Sequence, residues 1–456
     1  MAGLSAALLL ARDGHRVTIV ERDGLDAGAP LEAPGWERKG IPHFLQPHAF
    51  IPRGCAELKR HLPDVHDNLL AAGAQVVEVW RKLPGPIEPS DAELEYLGVR
   101  RPLIEWGLRR AVGADTRIQR ITNARVTGLE LSGRRVGAVR IGDHLLDADL
   151  VVDALGRRSP TFGWLAGALG ESEQPPETSD CGVIYYSRYY QQRSGFELPD
   201  GRWLLSPRGD LGYAGFASFP GDNGTFAGLL AVPTGVGDWM ALKDPAAFEG
   251  AIALIPMMRL WIDSDGVDPI TGVMPMAGLR NSIRRYDPSW VTGFVPIGDA
   301  RCHTDPVLAH GLSFALIHAI ELARSLREHG DDVDGLDAFA METEPAIRER
   351  YDLATELDEQ RHRGWTGGAV EPRRHDGDYA LFSTAAAGAA AFVDPDVFRV
   401  FVRRIGLLDS TTVLDGDVEL QGRIERILSE STPPTAVPSR DEMLDAMSRA
   451  SAVASA

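Results

Sequence analysis

The first 24 residues restrict the fold of this chain more than any other stretch. Apolar residues of segment 2–12 follow the helical spacing i, i+3, i+4 and i+7. Gly14 follows, where a left-handed helix cap favours glycine. β-Branched residues then alternate along 16–20, and Glu21 ends that predicted strand. With Gly3 at the start of the helix, this order is typical of the second half of a dinucleotide-binding βαβ unit, in which the acid holds a ribose hydroxyl.

Taken alone, the segment fits an ordinary amphipathic helix and strand equally well, because short pieces of a motif are weak evidence. The first strand and the first two glycines of Gly-x-Gly-x-x-Gly are missing, since the chain begins where the third glycine belongs. A parallel sheet without that strand would expose the edges of its neighbours. We therefore expect Met1 to be an internal methionine, with an apolar strand and Gly-x-Gly encoded upstream.

Two later segments support a nucleotide site. Residues 145–160 run from an apolar strand into the glycine-containing turn DALGRRSP. Residues 289–330 contain an apolar strand, the pair Gly298-Asp299, a loop and a long helical pattern. The amino terminus of a helix offers free N–H groups and a positive dipole end to anionic or carbonyl oxygens. A carboxylate beside it accepts hydrogen bonds from hydroxyls, so this order suits a diphosphate–ribityl chain.

The middle of the chain predicts an antiparallel sheet. Short apolar runs broken by Gly, Pro, Asp and Asn extend over 178–235. Its aromatic residues are Tyr185, Tyr186, Tyr189, Tyr190, Trp203, Tyr213, Phe216 and Phe219. Most of them should form the core of the sheet, and those on a face turned to a cofactor would line an apolar substrate pocket.

Composition excludes several other classes of protein. Hydrophobic and charged contents of 44% and 25% are those of a soluble globular protein, and a net charge of −18 argues against a nucleic-acid partner. Cys55, Cys181 and Cys302 are too widely spaced for a disulfide framework or a zinc site. No apolar run reaches the roughly 20 residues of a membrane span. We expect a cytoplasmic protein without a metal site, and its oligomeric state stays open.

The three segments, in this order, resemble the FAD-dependent monooxygenases of the aromatic-hydroxylase and epoxidase type (group A flavin monooxygenases). The resemblance covers roughly residues 1–330. It implies a final fingerprint glycine, a ribose-binding acid with a following arginine, a Gly-Asp motif for the ribityl and pyrophosphate region, and a loop and helix start beside the flavin ring. The implied cofactor-binding residues are Gly3, Glu21, Arg22, Arg38, Arg101, Gly298, Asp299, Pro306, Gly311 and Leu312.

The resemblance also implies an α/β fold. Its parts would be an FAD-binding Rossmann-like parallel-sheet domain without its first strand (1–75, 100–175 and 270–330), an antiparallel β-sheet substrate domain (76–99 and 176–269), a C-terminal helical region (331–430) and a flexible tail (431–456).

The implied activity is FAD-dependent monooxygenation of an apolar or aromatic small molecule in secondary metabolism, with NAD(P)H as reductant and O2 as oxidant. Leu155 stands where many members carry an aspartate implicated in FAD and NAD(P)H binding, so use of NADPH through that motif is in question. His48, His303 and His310 are candidates for polarising an oxygen, although each also fits an ordinary loop residue. Alternatives are a reductase or dehydrogenase of the prenyl-reductase type, a flavin halogenase, for which no Trp-x-Trp-x-x-Pro pattern is present, and an inactive flavoprotein.

Overall fold

A computed structural model describes residues 1–199, 206–236, 238–262, 265–330, 333–368, 387–414, 417–430 and 437–454. Their helices are α1 (Ala2–Arg12), α2 (Pro52–His61), α3 (Pro63–Ala71), α4 (Arg101–Ala114), α5 (Thr161–Leu169), α6 (Pro245–Ile252), α7 (Pro256–Trp261), α8 (His310–His329), α9 (Val333–Trp365), α10 (Pro395–Ile405), α11 (Val418–Glu430) and α12 (Arg440–Ala454).

The strands alternate with these helices in the first 303 residues. They are β1 (Val17–Val20), β2 (Gln75–Glu78), β3 (Glu95–Gly98), β4 (Ile118–Ile121), β5 (Val126–Ser132), β6 (Arg135–Ile141), β7 (His144–Asp147), β8 (Val151–Asp153), β9 (Glu177–Asp180), β10 (Val183–Gln192), β11 (Arg208–Asp210), β12 (Gly215–Pro220), β13 (Thr225–Pro233), β14 (Val267–Pro269), β15 (Met274–Met276), β16 (Arg280–Ile283), β17 (Phe294–Pro296) and β18 (Cys302–His303). The predicted mixed α/β architecture is confirmed.

The parallel strands form two separate pairs. β1 pairs with β4, with Val17 opposite Ile118, and β8 pairs with β17, with Val151 opposite Phe294. Among the described residues no strand hydrogen-bonds to both pairs. One apolar core contains residues of α1, α4 and α8, and α1 packs on α8 through its apolar residues. The helix α1, the strand β1 and the left-handed Gly14 between them therefore form as the sequence predicts.

The antiparallel sheet has the order β11-β12-β13-β10-β14, with β15 also paired to β10. Every residue of β13 is buried, because both faces of this central strand are covered. Tyr186, Phe216 and Leu230 pack on one face against α6 and α12. Tyr185 and Leu229 belong to a second cluster on the other face. Most of the predicted aromatic residues are thus sheet core, while Trp203 lies outside the described residues.

Three segments differ from the sequence expectation. The apolar spacing of segments 52–72 and 245–261 predicts one continuous helix in each, but each is divided into two helices, because Pro63 and Pro256 lack the N–H that would continue the first. The expected flexible tail 431–456 contains α12, whose Met443 and Met447 are buried against the sheet domain. Within the described ranges, no helix combines the length and the hydropathy that crossing a bilayer requires.

Candidate functional site

A cavity of about 1800 Å³ extends from the parallel strand pairs to the antiparallel sheet. Both β1 and β8 line it, so each parallel pair contributes a strand to its wall. Nine of the ten predicted cofactor-binding residues contribute to its wall, namely Gly3, Glu21, Arg22, Arg38, Arg101, Asp299, Pro306, Gly311 and Leu312. Residues 309 positions apart in the chain therefore meet in one place.

Gly298, the tenth residue, lies directly behind the wall. Its φ is +57°, and a Cβ there would lie 2.9 Å from the Cβ of Ala2 at the start of α1. Its amide donates to Nδ1 of His318 across 3.0 Å. A Cβ on Gly3 would likewise lie 3.0 Å from that of Ala154, which follows β8. The two glycines allow the three predicted segments to touch, which explains why only glycine fits without rearrangement.

At one end of the cavity, Glu21 is held by a network of charges. Its Oε1 accepts from the Asp23 amide at 3.0 Å, and its Oε2 accepts from Nη2 of Arg38 at 3.1 Å. Arg38 also lies 3.3 Å from Asp23 and 3.1 Å from Glu105. Arg22 is more exposed and lies 3.5 Å from Asp23. The Glu21 carboxylate is thereby fixed at the end of β1, where it can accept a further hydrogen bond.

Arg101 differs from its neighbours in having no counterion. No carboxylate of the described residues lies within 4.0 Å of its guanidinium, and it makes no hydrogen bond there. Burial lowers its pKa, although the more distant charges of Glu105 and Asp299 oppose this effect. An arginine remains charged throughout the usual pH range. The Arg101 side chain therefore offers an uncompensated positive charge to the cavity.

Asp299 lies beside two histidines, His303 and His43. Nδ1 of His303 is 3.2 Å from its Oδ2, and the rings of His43 and His303 are 6.4 Å apart. Burial raises the pKa of Asp299, but His303 and His43 outweigh it, so the pKa lies well below the usual range. Burial lowers the pKa of His43 to about 3. Asp299 is therefore an anion beside a neutral His43 at neutral pH.

Two of the three candidate histidines, His48 and His310, lie in different places. His48 lines the cavity, and its Nδ1 is 2.6 Å from the carbonyl oxygen of Gln46. Burial lowers the pKa of His48 well below the usual value. His310 begins α8 but is buried, and its Nε2 lies 3.1 Å from the carbonyl oxygen of Ile405. Among the described residues, this contact links α8 to the end of α10 and leaves His310 outside the cavity wall.

The middle motif has a structural role. Asp153, at the end of β8, accepts hydrogen bonds of 2.6 Å from both Ser159 and Thr161, and one of 2.9 Å from the Leu155 amide. Burial raises the pKa of this carboxyl against those hydrogen bonds. Leu155 itself is 51% exposed at the cavity rim. The buried acid of this turn is therefore two residues before the position that the motif suggested.

The other end of the cavity is largely apolar. The antiparallel sheet and the C-terminal helices line it with Phe216, Phe219, Leu229, Met276, Trp365 and Phe401. The Tyr185 hydroxyl is the polar group of β10 there, and it donates to Oδ1 of Asp305 across 2.7 Å. This end can receive an aromatic or aliphatic group and one hydrogen-bonding substituent.

Behind Tyr185, one arginine joins two buried acids. Nη2 of Arg361 lies 2.6 Å from Asp305 and 2.6 Å from Asp358. Burial and the neighbouring Asp305 raise the pKa of Asp358 far above its usual range. The ligand atoms of Cys181, Asp305 and Asp358 lie within 4.8 Å of one another, a spacing that could hold a metal ion. The Arg361 guanidinium already binds both carboxylates, so these groups form an ion-pair network.

The sequence did not single out Tyr185 among the aromatic residues of the sheet, and it did not identify Arg361 or Trp365 as neighbours of the site. Arg361 and Trp365 lie on α9, which the sequence predicted only as part of a C-terminal helical region. Tyr185 is one of several tyrosines in β10 whose faces alternate. No local signal marks these residues, because their contacts join positions more than 100 residues apart, such as Tyr185 with Asp305.

Comparison with known proteins agrees with this geometry. No family model matches the chain. It is 27% identical to Protein Rv3254 of Mycobacterium tuberculosis, over 90% of this chain and 88% of that protein. Solved structures at 13–16% identity share the fold: a flavoprotein/dehydrogenase from Cytophaga hutchinsonii (TM-score 0.59, 94% of this chain and 97% of that one), the flavin-dependent brominase Bmp2 (0.57, 94% and 97%) and PqsL, a probable FAD-dependent monooxygenase from Pseudomonas aeruginosa (0.53, 80% and 96%). The chain therefore has the fold of FAD-dependent monooxygenases and flavin-dependent halogenases.

Proposed function

We propose that this protein is an FAD-dependent monooxygenase that uses NAD(P)H and O2 to hydroxylate or epoxidise an apolar or aromatic small molecule of secondary metabolism. One observation carries the proposal. The residues implied for FAD binding converge on the wall of one cavity whose far end is apolar and aromatic. A site of that composition can hold a dinucleotide and a small apolar substrate next to each other.

The residues present fit FAD. Glu21 would accept from a ribose hydroxyl, and Arg38 keeps that carboxylate in place. Arg101, which has no counterion among the described residues, would bind the diphosphate. Asp299 would accept from the ribityl chain, and Pro306, Gly311 and Leu312 would flank the ring. When bound, FAD would supply the redox and oxygen chemistry.

The chain's own contribution is binding, orientation and exclusion of water. The apolar wall around Phe219 and Leu229 would desolvate the substrate. Tyr185, with Asp305 behind it, would orient a polar substituent. His48 is a candidate for polarising an oxygen, since a neutral imidazole can donate or accept a hydrogen bond. We propose the same role for His303, and for His310 only if α8 shifts, since His310 lies behind the wall.

Flavin content and product analysis test the proposal. The purified protein, reconstituted with FAD, should show bound flavin absorbance. NADH or NADPH and O2 should convert apolar aromatic compounds into products heavier by one oxygen atom, labelled when 18O2 is supplied. A bromide-dependent product would indicate a halogenase. Oxidation or reduction of a carbon–carbon bond without oxygen incorporation would indicate the reductase or dehydrogenase alternative. Failure to bind FAD in any form would contradict the proposal.

A further inference from the structure

Arg350, on α9, lies under the first turn of α8. Arg350 is 6% exposed, and its side chain reaches the cavity wall. Its Nη2 is 4.0 Å from the position that a Cβ on Gly311 would occupy. Its Cζ lies 4.4 Å from the ring centroid of Phe314, one turn further along α8. The guanidinium therefore points at the amino terminus of a 20-residue helix.

This buried charge has no counterion. Among the described residues, no carboxylate lies within 4.0 Å of Arg350, it makes no hydrogen bond, and its Nε is buried without a partner. Two other arginines of α9 contrast with it: Arg348 pairs with Glu177, and Arg361 pairs with Asp305. Burying an unpaired guanidinium costs free energy. Its retention beside a cavity points to a ligand that carries negative charge or a carbonyl oxygen.

The helix terminus offers the same polarity. The first N–H groups of α8 have no partner within the helix, and the dipole places positive charge there. The N-cap residue is Ala309, which has a left-handed conformation. Its methyl side chain cannot accept a hydrogen bond from the N–H groups of the first turn. Arg350 and the first turn of α8 thus present two independent positive groups to one point of the wall, next to Gly311 and Leu312.

We propose that Arg350 and the first turn of α8 together bind the pyrimidine end of the flavin ring and stabilise negative charge there. The inference rests on the proposed function, which it deepens. Transfer of a hydride to the ring brings one proton and two electrons, and it leaves one negative charge at N1 and the adjacent carbonyl oxygen. A fixed guanidinium at that end makes reduction easier and keeps the reduced ring in its anionic form.

The test compares R350M, R350K and the control R348M with the wild-type FAD-loaded protein. Met keeps most of the apolar stem without charge, whereas Lys restores the charge without the planar fork. R348M removes an exposed cation of the same helix. In R350M we expect the reduced flavin ring to bind its proton roughly tenfold more tightly. This would be measured spectroscopically as a pKa of reduced FAD about one unit higher than in wild type. The midpoint potential of FAD in R350M should also be more negative. R350K should recover part of both changes, and R348M should show neither change.

A second measurement separates ligand binding from a purely structural role. The FAD-free R350M protein should unfold at a temperature no lower than that of FAD-free wild type, because an unpaired buried charge is removed. A lower melting temperature together with an unchanged midpoint potential and pKa of reduced FAD would overturn the inference and make Arg350 a packing residue. If R350M binds FAD and is as stable as wild type, an unchanged midpoint potential and an unchanged pKa of reduced FAD would by themselves overturn the inference. Absence of FAD binding in the wild type would contradict the proposed function first.

Discussion

Arg100 and Arg101 are adjacent in the chain, but within the described ranges the guanidinium group of Arg100 is paired with a carboxylate and that of Arg101 is not. Arg100 forms hydrogen bonds of 2.6 and 3.0 Å with the two oxygens of Asp222, which is buried. Arg101 begins α4 and faces the cavity without a carboxylate partner among the described residues. Arg100 thus joins the start of α4 to the antiparallel sheet, whereas the next residue, Arg101, is available to a ligand.

We expect R100M and R101M to differ in kind. R100M leaves the Asp222 carboxylate buried and unpaired, so it should lower the free energy of unfolding by about 3–5 kcal/mol. R101M should leave that free energy nearly unchanged but weaken FAD binding by roughly tenfold or more, because a charged contact to the diphosphate is lost. Urea denaturation of the FAD-free proteins and fluorescence titration with FAD measure the two effects. Equal FAD affinity in R101M and wild type would contradict the diphosphate role.

Glu21 should matter for the adenosine half of FAD alone. E21Q keeps the shape of the side chain but weakens its hydrogen bond to a ribose hydroxyl, since charged acceptors form the stronger bonds. We expect E21Q to lower FAD affinity by roughly tenfold and to leave the affinity for FMN, which lacks adenosine, unchanged. E130Q, which removes the exposed partner of Arg140, is the control. A parallel loss of FMN affinity in E21Q would place Glu21 elsewhere in the site.

The acid pair at Arg361 predicts a pH dependence of stability. The pKa of Asp358 is raised by burial and by Asp305, so the folded protein holds a proton that the unfolded chain releases above about pH 4. The stabilisation from that proton is complete below this pH and is lost as pH rises towards the raised pKa.

In D358N this loss is absent. The difference in unfolding free energy between wild type and D358N should therefore change by up to about 1.4 kcal/mol per pH unit above pH 4, with wild type losing stability. Urea denaturation at several pH values between 5 and 8 measures it. The buried histidines, including His318, titrate alike in both proteins and cancel in the difference. Curves that stay parallel would show that Asp358 is ionised in the folded protein.

The Gly-Asp turn should not tolerate a side chain. G298A would add a Cβ at a φ of +57° and 2.9 Å from the Cβ of Ala2, so strain and a clash add together. G278A is the control, because Gly278 has a φ of +65° but nothing within 4 Å of its Cβ position. We expect G278A to cost about 1 kcal/mol and G298A at least about 2 kcal/mol in unfolding free energy. Equal losses in the two variants would remove the argument for close contact.

Local patterns predicted the parts of the site that depend on backbone shape. The helical spacing of α1, the alternation in β1 and the Gly-Asp pair before a helix each lie within about 20 residues, so periodicity and turn chemistry specify them. The hairpin of β5 and β6 is equally local, since it turns at Gly133, whose φ is positive.

The remaining parts depend on contacts between distant segments. Whether a charged residue of α9 faces solvent or a cavity is decided by what packs on it, and Arg348 and Arg350 are alike in sequence but opposite in exposure. The docking of α12 on α6 likewise requires the small residues Ala446 and Ala450 to meet Gly250, a match that neither segment reveals alone. The two divided helices are an exception, because Pro63 and Pro256 mark their breaks locally.

The length of α9 has a consequence for comparing relatives. Arg350 and Arg361 are eleven residues apart, which is about three turns, so one helix face carries them at points roughly 16 Å apart. A single inserted or deleted residue between them would rotate one arginine by about 100° relative to the other. In homologues that keep both arginines, alignment gaps should therefore be absent from 351–360 yet permitted beyond Trp365. The spacing of the two arginines then distinguishes functional equivalents from proteins that share only the fold.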